Sequence, residues 1–344
     1  MMRSRIREIA RAWPVVVALA LLPGCGGGGG GGGSHGGTAD EGIEVTVPGR
    51  FPDTGSRSSG SIVFDVTPSS DDAADDVLID ITRPHQFANR ASLLKNGEFL
   101  RFVITTDTGR ETSISVRIGS WSADMRHTVA ATWGDGCARL YLDGERLADS
   151  TYTGELLLVR GTPIVGDYGN FPPSATSVER VTVYGRPLAP EDVLDDFATH
   201  AGNVVLGTTT NVSGDGKLGQ VCITLHGGGH QVVGTQNDLV WDRGCAELLE
   251  DTCQIDPLTG KTLFANLFDD AQLRALVLDF FNTAPIDDGP LYCCTFALQS
   301  EEPGRCCSFQ ITNTGASDPR GLELPSQAVG GRLCPTDAPA TCHP

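Results

Sequence analysis

Positive charge and aromatic side chains are both scarce in this chain of 344 residues. Aromatic residues make up 6 %, and 25 Lys and Arg are outnumbered by 43 Asp and Glu, which gives a formal net charge of −18. A surface this acidic repels a phosphate backbone, so nucleic acid is excluded as a partner. The apolar stretch near the N-terminus, residues 14–22, is too short to cross a bilayer as a stable helix.

Glycine and proline are abundant, with 43 and 20 residues, and they suit β-structure with many turns better than a helical bundle. Apolar residues make up 40 %, so we expect a buried core rather than wholesale disorder. At roughly 100–200 residues per domain, the length indicates two domains. The 11 cysteines would stay reduced in a cytosol, so their number predicts an exported protein.

The first 25 residues have the pattern of an export signal. Four arginines precede the apolar stretch, which ends in the sequence LPGC at residues 22–25. This sequence resembles the lipobox of bacterial lipoproteins, and the resemblance implies that residues 1–24 are a signal peptide and that Cys25 is acylated. A plain secretory signal with a chance cysteine is the alternative. No Asp follows Cys25, so we expect the outer membrane or cell surface of a Gram-negative bacterium.

Residues 25–40 are rich in glycine, with an unbroken glycine run over 26–33. Such a chain behaves as a flexible coil, and some fourteen residues hold the following domain roughly 20 Å from an anchor. Two or three acyl chains on one cysteine attach a protein stably to a membrane, whereas a single chain does so only marginally. The segment is therefore predicted to be a tether between a lipid anchor and the first domain.

The sequence over residues 41–200 predicts a series of short strands, because apolar and β-branched stretches alternate there with clusters of Gly, Asp, Pro and Ser. Over 127–133, one face carries His127, Val129, Ala131 and Trp133 and the other carries only Thr and Ala. Alternation with period two in many short strands predicts an antiparallel two-sheet sandwich. One brief helix is predicted, from Pro190, which is preset for a first helical turn, to Phe197. The predicted strands are 43–47, 61–66, 77–81, 99–105, 112–118, 127–133, 138–142 and 178–184.

The sequence HTVAATW at 127–133, followed by ARLYLDG at 138–144, resembles the central hairpin of laminin-G-like domains of the concanavalin A-like lectin fold. Residues 163–166 and 178–193 resemble the closing strand and terminal helical turn of that family. The resemblance implies that residues 41–200 form a jelly-roll sandwich. Asp143 and Gly144 suit the tight hairpin turn, and Trp133 suits the space between the sheets.

Proteins of this fold include lectins, calcium-dependent protein binders and endo-β-glucanases, so the fold alone does not give the function. The glucanases carry paired carboxylates in the pattern Glu-x-Asp-x-x-Glu, and this sequence has no such string, so we expect no catalysis. The resemblance implies sugar or protein binding, with calcium at the rim as a possible cofactor. Candidate calcium ligands are Asp107, Asp124 and Asp167, for which solvated turn aspartates are the alternative. Candidates for stacking on a sugar are Trp121, Tyr168 and Phe171, for which burial in the core is the alternative.

Nine cysteines follow residue 220, whereas residues 41–200 hold only Cys137, so we place a domain boundary near Gly202. Residues 203–344 are predicted to be a second β-domain, with strands over 204–206, 221–225, 232–241, 274–280, 291–298 and 307–311. The strings at 231–242 and 286–292 resemble an early strand pair and the entry to a core strand of cohesin-like domains. The resemblance implies a jelly-roll sandwich that binds a partner module through one flat face.

The cysteine spacing suggests a hairpin, because Cys293 and Cys294 mirror Cys306 and Cys307 about Ser300. Residues placed in this way lie opposite each other in an antiparallel pair, close enough for a bridge. We therefore predict two staples of that hairpin and two short local loops, and Cys222 is left either with Cys137 or unpaired. The predicted bridges are Cys293–Cys307, Cys294–Cys306, Cys245–Cys253 and Cys334–Cys342.

Cys222, His226 and His230 recur at four-residue spacing, which on a helix would form one zinc-binding face. Three glycines between the histidines favour a turn between strands instead. The string HGGG at 226–229 also imitates the oxyanion loop of esterases, but the nucleophile elbow Gly-x-Ser-x-Gly that this chemistry needs is absent from the sequence.

The sequence thus predicts an all-β protein of two antiparallel jelly-roll sandwiches on a glycine-rich tether. We expect a lipid-anchored surface protein that binds extracellular glycan or protein without catalysis. Two alternatives stay open: a glycan hydrolase with an unrecognised carboxylate pair, and a purely scaffolding surface protein.

Overall fold

The computed structural model describes residues 42–334, apart from 57, 69–75, 84–85, 166–175, 214–215 and 300–305. Within these residues the chain forms four six-stranded sheets, one α-helix and one short 3-10 helix. Two large apolar clusters lie between the sheets, one before and one after the α-helix. The prediction of an all-β protein with two antiparallel sandwiches is confirmed.

The first sandwich packs two sheets around the first apolar cluster. In spatial order, its first sheet contains β1 (Ile43–Val45), β12 (Thr176–Tyr184), β3 (Gly60–Pro68), β8 (His127–Gly134), β9 (Cys137–Leu142) and β10 (Glu145–Thr151). Its second sheet contains β2 (Gly49–Arg50), β11 (Pro163–Val165), β4 (Asp76–Ile81), β5 (Arg90–Asn96), β6 (Phe99–Thr105) and β7 (Glu111–Arg117).

Both faces of β3 are buried, which is unusual for a strand of an antiparallel sandwich. Phe64 and its same-face neighbours fill the core between the sheets. Val63 points the other way and packs with Tyr141, Leu188 and Val193 in a separate small cluster. The segment that follows β12, which contains Leu188 and Val193, therefore covers the outer face of the first sheet.

The second sandwich packs the third and fourth sheets around the second apolar cluster. The third sheet contains β16 (Ala246–Leu248), β20 (Gly289–Leu298), β14 (Leu218–His226), β13 (Val204–Val212) and β23 (Ser326–Val329), with β17 (Gln254–Ile255) also paired to β20. The fourth contains β18 (Thr262–Asp269), β19 (Gln272–Leu278), β15 (Gly234–Trp241), β21 (Cys307–Ser317) and β22 (Glu323–Leu324), with β24 (Gly331–Leu333) also paired to β21. The 3-10 helix, Pro257–Thr259, links β17 to β18.

Helix α1, Pro190–Ala201, lies between the two sandwiches. Proline at its first turn and Gly202 in the left-handed conformation set its two ends. Val193 packs on the first sandwich, and Leu194 and Phe197 pack with residues of β13 and β23 of the second while also lying against Gly144 of the first. Both sandwiches therefore share the helix and belong to one compact unit, Gly37–Pro344. No helix in the described ranges is long and apolar enough to cross a membrane.

The predicted disulfide pairing is wrong, although seven of the eight cysteines named for it form disulfides among the described residues. The observed bridges are Cys222–Cys293, Cys245–Cys307, Cys253–Cys294 and Cys306–Cys334. Cys137 is also disulfide-bonded. Cys342, like Cys25, lies outside the described residues.

The error comes from the assumed hairpin, because β20 and β21 do not pair with each other. β20 pairs with β14 in the third sheet and β21 pairs with β15 in the fourth, so the chain crosses between sheets after Leu298. Cys293 then lies directly opposite Cys222 on β14. Its neighbour Cys294 points to the other face and bonds Cys253. Adjacent cysteines on a strand thus take partners on opposite faces, as the alternation of side chains requires.

Candidate functional site

Trp121 belongs to the core of the first sandwich, so it does not offer a platform for a sugar. Its side chain is 3 % exposed. The ring stacks on His127 with centroids 4.7 Å apart, and Lys95 Nζ lies 5.7 Å from the ring centroid. Of the two alternatives for Trp121, stacking on a sugar or burial in the core, the structure shows burial, because the loop that carries it folds over the first residue of β8.

The other residues predicted for ligand binding do not form a site among the described residues. Asp107 Oδ1 accepts the backbone N–H of Glu155 at 2.9 Å and holds two loops together. Asp124 has a left-handed backbone, φ 59°, and its N–H donates to the carbonyl of Pro68. In the part of the chain that the structure describes, no three His, Cys, Asp or Glu side chains form a group that would hold a metal ion. Asp167, Tyr168 and Phe171 lie outside the described residues.

The zinc alternative at Cys222, His226 and His230 is wrong, because the Cys222 sulfur is bonded to Cys293. His226 Nδ1 lies 3.3 Å from Asp195 Oδ1 on helix α1. His230 Nε2 lies 2.9 Å from the carbonyl oxygen of Gly202, which ends the same helix. The glycine-rich turn thus attaches the second sandwich to the helix.

Asp65, on the outer face of β3, is fully buried in a network of hydrogen bonds. Arg180 Nε donates to Asp65 Oδ2 at 2.7 Å, Thr128 Oγ1 donates to Oδ1 at 2.7 Å, and Arg126 contacts the same carboxylate. Burial alone would raise the pKa of Asp65, but the hydrogen bonds from Arg180, Thr128 and Arg126 outweigh it and hold that pKa below its ordinary value. The carboxylate is ionised and fully engaged.

Two further buried carboxylates are engaged in the same way. Asp80 is paired with Arg90 at 2.9 Å and with Ser92. Asp238, on the outer face of β15, accepts two hydrogen bonds from Arg274, at 2.7 and 2.8 Å. Those bonds lower the pKa of Asp238 against the effect of burial. Asp65 and Asp238, whose pKa values are lowered, lack the raised pKa that a general acid needs at neutral pH.

An exposed group of phenylalanines lies at the edge of the fourth sheet. Phe264 and Phe268 on β18 are 45 % and 64 % exposed, and Phe280, just after β19, is 79 % exposed. The rings of Phe264 and Phe280 are in edge contact, with centroids 6.3 Å apart. The guanidinium of Arg274 lies 5.1 Å from the Phe268 ring centroid. We call Phe264, Phe268 and Phe280 the aromatic patch.

The opposite side of β18 borders a cleft between the third and fourth sheets, which we call the edge cleft. Its volume is about 960 Å³. Leu248 and Ile255 lie on one wall, and Leu263, Ala265 and Leu267 of β18 lie on the other. Lys261 closes one end, where its Nζ donates to the carbonyls of Asn282 and Ala284 at 2.6 and 2.7 Å. Both surfaces of β18 are thus available to a partner.

Neither β18 nor the aromatic patch is predicted from the sequence. The segment TLFANLFD at 262–269 has apolar residues on both faces, so it lacks the alternation by which strands are recognised. One signal in the sequence does point to the aromatic patch: two consecutive phenylalanines at 280 and 281 stand next to several small and polar residues. Large apolar residues in such a turn-like segment are costly to expose, so they often mark a binding surface.

Comparison with known proteins gives results for both the family and the fold. Residues 39–194 match the family described as the concanavalin A-like lectin/glucanases superfamily. A search of curated protein sequences gives no match. Among solved structures, the chain is similar to the sixth cohesin of Acetivibrio cellulolyticus scaffoldin B, at 16 % identity over 38 % of this chain and 97 % of that one, with a TM-score of 0.35.

Two other solved structures are similar at the same level. A non-cellulosomal cohesin of the archaeon Archaeoglobus fulgidus has 12 % identity over 38 % of this chain and 90 % of that one, with a TM-score of 0.32. The CBM40 of the Ruminococcus gnavus IT-sialidase has 17 % identity over 47 % of this chain and 100 % of that one, with a TM-score of 0.35. The family match spans the first sandwich and the beginning of helix α1, so the first sandwich has the concanavalin A-like fold.

Proposed function

We propose that this chain is an exported, lipid-anchored surface protein that binds another protein without catalysis, and that the aromatic patch of the second sandwich is the contact surface. The exposure of Phe264, Phe268 and Phe280 in one group is the observation that carries the proposal. The largest apolar patch on a monomeric protein covers about 300–600 Å² and is often a functional surface. Phenylalanine is also among the residues enriched at protein interfaces.

A protein partner fits this surface better than a glycan. The patch offers apolar rings, and the charge of Arg274 beside it is neutralised by Asp238. The walls of the edge cleft carry leucine and isoleucine side chains, and polar groups such as Glu250, Gln254 and Lys261 also line it. An apolar protein segment would remove both surfaces from water.

The proposal of a non-catalytic role rests on the state of the buried carboxylates. Asp65, Asp80 and Asp238 are each bonded to an arginine, so none of them is free to act as an acid or a nucleophile. The test of catalysis is incubation of the purified protein with a panel of β-glucans. Release of reducing sugar from any of them would establish the hydrolase alternative.

Export is supported by the disulfides, which persist in oxidising compartments. The lipid anchor rests on the LPGC sequence and the glycine-rich tether. Substituting Cys25→Ala is expected to move the protein from the membrane fraction to the soluble fraction. An undiminished membrane fraction would show that acylation of Cys25 is not the means of attachment.

Binding is tested with two probes: a displayed library of random peptides, and a glycan array with and without calcium. We expect the native chain to enrich peptides with alternating apolar residues and the Phe264→Asp variant to lose that enrichment. Phe99→Asp is the matched control, because Phe99 lies in the first sandwich and is 44 % exposed. Calcium-dependent glycan binding without peptide enrichment would favour the first sandwich and a calcium site there. No signal with either probe would favour scaffolding.

A further inference from the structure

We propose that the Cys222–Cys293 disulfide is a redox-active site, which low-molecular-weight thiols open and small-molecule disulfides close while the second sandwich stays folded. The bond lies on the outer face of the third sheet, whereas the aromatic patch belongs to the fourth, so this site goes beyond the proposed function. Such a site requires sulfur atoms that a thiol can reach, a sheet that stays intact without the bond, and two cysteines that remain in register after reduction.

This disulfide is more accessible to a thiol than two of the other three bridges between described residues. Cys222 and Cys293 are both half-buried and point away from the core. In contrast, Cys245 and Cys307, which bond each other, are each 1 % exposed, and Cys294 of a third bridge is fully buried. Thiol–disulfide exchange requires a thiolate to reach a sulfur atom, so exposed bridges are the labile ones.

The two strands that carry the disulfide are also joined by other means. β14 and β20 pair over residues 218–225 and 289–297, and the two cysteines lie opposite each other well inside that pairing. On its other edge, β14 pairs with β13 over residues 219–226. Val221 and Ile223 hold β14 in the core of the second sandwich. Opening the bond therefore removes one link between strands that hydrogen bonds and core contacts continue to hold.

The Cys306–Cys334 bridge is equally accessible but has less support from its strands. Both of its cysteines are half-buried. They lie just beyond the ends of β21 and β24, which pair over three residues, and β24 pairs with no other described strand. Opening this bridge is expected to release the end of β24. Among the bridges between described residues, Cys222–Cys293 alone combines access with a strand pair that is supported on both sides.

The attacking thiolate is an anion, and the side chains directly around the Cys222–Cys293 bond are uncharged. Thr209 and Gln254 flank the two cysteines in the same row across the sheet. Gln220 and Thr295 are neighbours on the same face along β14 and β20. In a chain with a formal net charge of −18, these neutral neighbours spare the thiolate the repulsion that carboxylates at the same positions would cause.

The reaction at this site is thiol–disulfide exchange. A thiolate bonds to the Sγ atom of one cysteine, the bond between Cys222 and Cys293 breaks, and the other cysteine leaves as a thiolate that takes up a proton. A second thiol molecule then releases the first cysteine, so two thiols become one disulfide and pass two electrons and two protons to the chain. Because β14 and β20 hold the two Cα atoms 3.9 Å apart, a small-molecule disulfide reverses both steps and closes the bond again.

The experiment is graded reduction of the purified full chain with 2-mercaptoethanol, followed by alkylation with iodoacetamide and peptide mapping by mass spectrometry. We expect Cys222 and Cys293 to be alkylated at least about tenfold faster than Cys245 and Cys307, because access to the sulfur sets the rate. Near-ultraviolet circular dichroism should be unchanged when this first bond is open. Addition of the oxidised disulfide of 2-mercaptoethanol should restore the same bond.

A pair of charge variants tests the site without changing a cysteine. Gln220→Lys attracts the thiolate and Gln220→Glu repels it, so at low ionic strength the first variant should open the bond at least about twofold faster than the second. Thr312→Lys and Thr312→Glu, at an exposed position of β21 in the fourth sheet, are the matched controls and should open it at equal rates.

Three results would overturn the proposal: alkylation of Cys245 and Cys307 as early as that of Cys222 and Cys293, loss of the circular dichroism signal together with the first bond, or equal rates in the two Gln220 variants. Early and reversible opening of this one bond in a folded chain, with a rate that follows the charge at 220 and not at 312, is the result that supports it. Peptide enrichment through Phe264 is measured separately, so failure here leaves the proposed binding surface in place.

Discussion

The two sandwiches have the same general architecture but hold it together by different means. The first contains a single cysteine in its sequence range, the disulfide-bonded Cys137, and relies on a large apolar cluster and on the ion pair of Asp65 and Arg180. The second joins its strands by four disulfides between described residues. One of these, Cys245–Cys307, connects the start of β16 in the third sheet to β21 in the fourth, whereas the others join paired strands of one sheet or the residues just beyond their ends.

The outer surfaces differ as well. Helix α1 covers the outer face of the first sandwich at Val63 and Tyr141. Among the residues that the structure describes, no helix covers β18 of the fourth sheet, and its phenylalanines reach solvent. A domain that is closed by covalent bonds keeps its fold even when it leaves apolar surface in water, and this is what a binding surface requires. This difference agrees with the proposal that the contact surface lies on the second sandwich.

The largest expected effect comes from reduction of the disulfides. A native disulfide in a small exported domain contributes about 2–5 kcal/mol, so reduction of several should unfold the second sandwich. Hydrogen exchange after treatment with a thiol should show loss of protection in β13 to β24 and retention in β3 to β9. Equal loss in both sandwiches would contradict the comparison. The double variant Cys245→Ala, Cys307→Ala isolates the bridge between the sheets, with an expected loss of about 2–5 kcal/mol in the free energy of unfolding.

The next effect is at the buried ion pair of the first sandwich. Asp65→Asn leaves Arg180 and Arg126 without their common carboxylate, and breaking a buried pair costs about 3–5 kcal/mol. Asp238→Asn in the second sandwich should cost less, because the side chain of Arg274 is 38 % exposed and regains water. Urea denaturation of both variants measures the difference. A greater loss for Asp238→Asn would reverse the ranking.

The same carboxylates predict the response to acid. The pKa values of Asp65 and Asp238 in the folded protein lie below the ordinary value of about 3.9 for an unfolded chain. Their contribution to the free energy of unfolding is therefore fully present above that pH. It is lost as the pH falls through the lowered folded pKa, because protonation then favours the unfolded chain. Asp65→Asn should therefore flatten the dependence of stability on pH below about 4. An unchanged slope would mean that Asp65 is not ionised in the folded state.

An intermediate effect is expected where the helix joins the sandwiches. Phe197 is buried against β13 and β23, and Phe197→Ala should cost about 3 kcal/mol by leaving a cavity. Because Val193 still packs on the first sandwich, the helix should stay attached there while the second sandwich loosens. Calorimetry should then resolve two unfolding transitions. A single transition at lower temperature would show that the sandwiches remain coupled by other contacts, such as that of His226 with Asp195.

The smallest effect on stability should come from the aromatic patch. Phe264→Ser at the lowest usable protein concentration should change the free energy of unfolding by less than about 0.5 kcal/mol, as is usual for an exposed residue. Phe296→Ala, in the core of the same sandwich, should cost about 3–5 kcal/mol. A large loss for Phe264→Ser would make the patch part of the fold rather than a surface for binding.

Several strands could be predicted from the sequence because their side chains alternate. β8 and β9 were predicted within a residue or two, and so was the start of helix α1 at Pro190. The helix runs on to Ala201, four residues beyond the predicted end. β5 (RASLLKN) and β18 (TLFANLFD) were missed, since neither contains a β-branched residue within the strand apart from Thr262. Such strands form because neighbouring strands supply their hydrogen bonds and apolar surface.

The residues of a binding site were harder to predict than the strands. Trp121 lies in a loop-like stretch of the sequence, yet its ring is covered by His127 and the core. Phe264 and Phe280 were not considered, although they are exposed and adjacent. Exposure depends on which segments pack over a side chain, and the local sequence carries little of that information.

By itself, the sequence determined the all-β class, the order of the main strands and the concentration of cysteines in the second half, since these follow from alternation and composition. The tertiary structure alone decided which cysteines meet, because β20 and β21 pair in different sheets. It also decided which phenylalanines stay in water, because β18 lies at an edge that no other described strand covers. Both outcomes depend on contacts between residues far apart in the chain, and such contacts arise only when the sheets have been assembled.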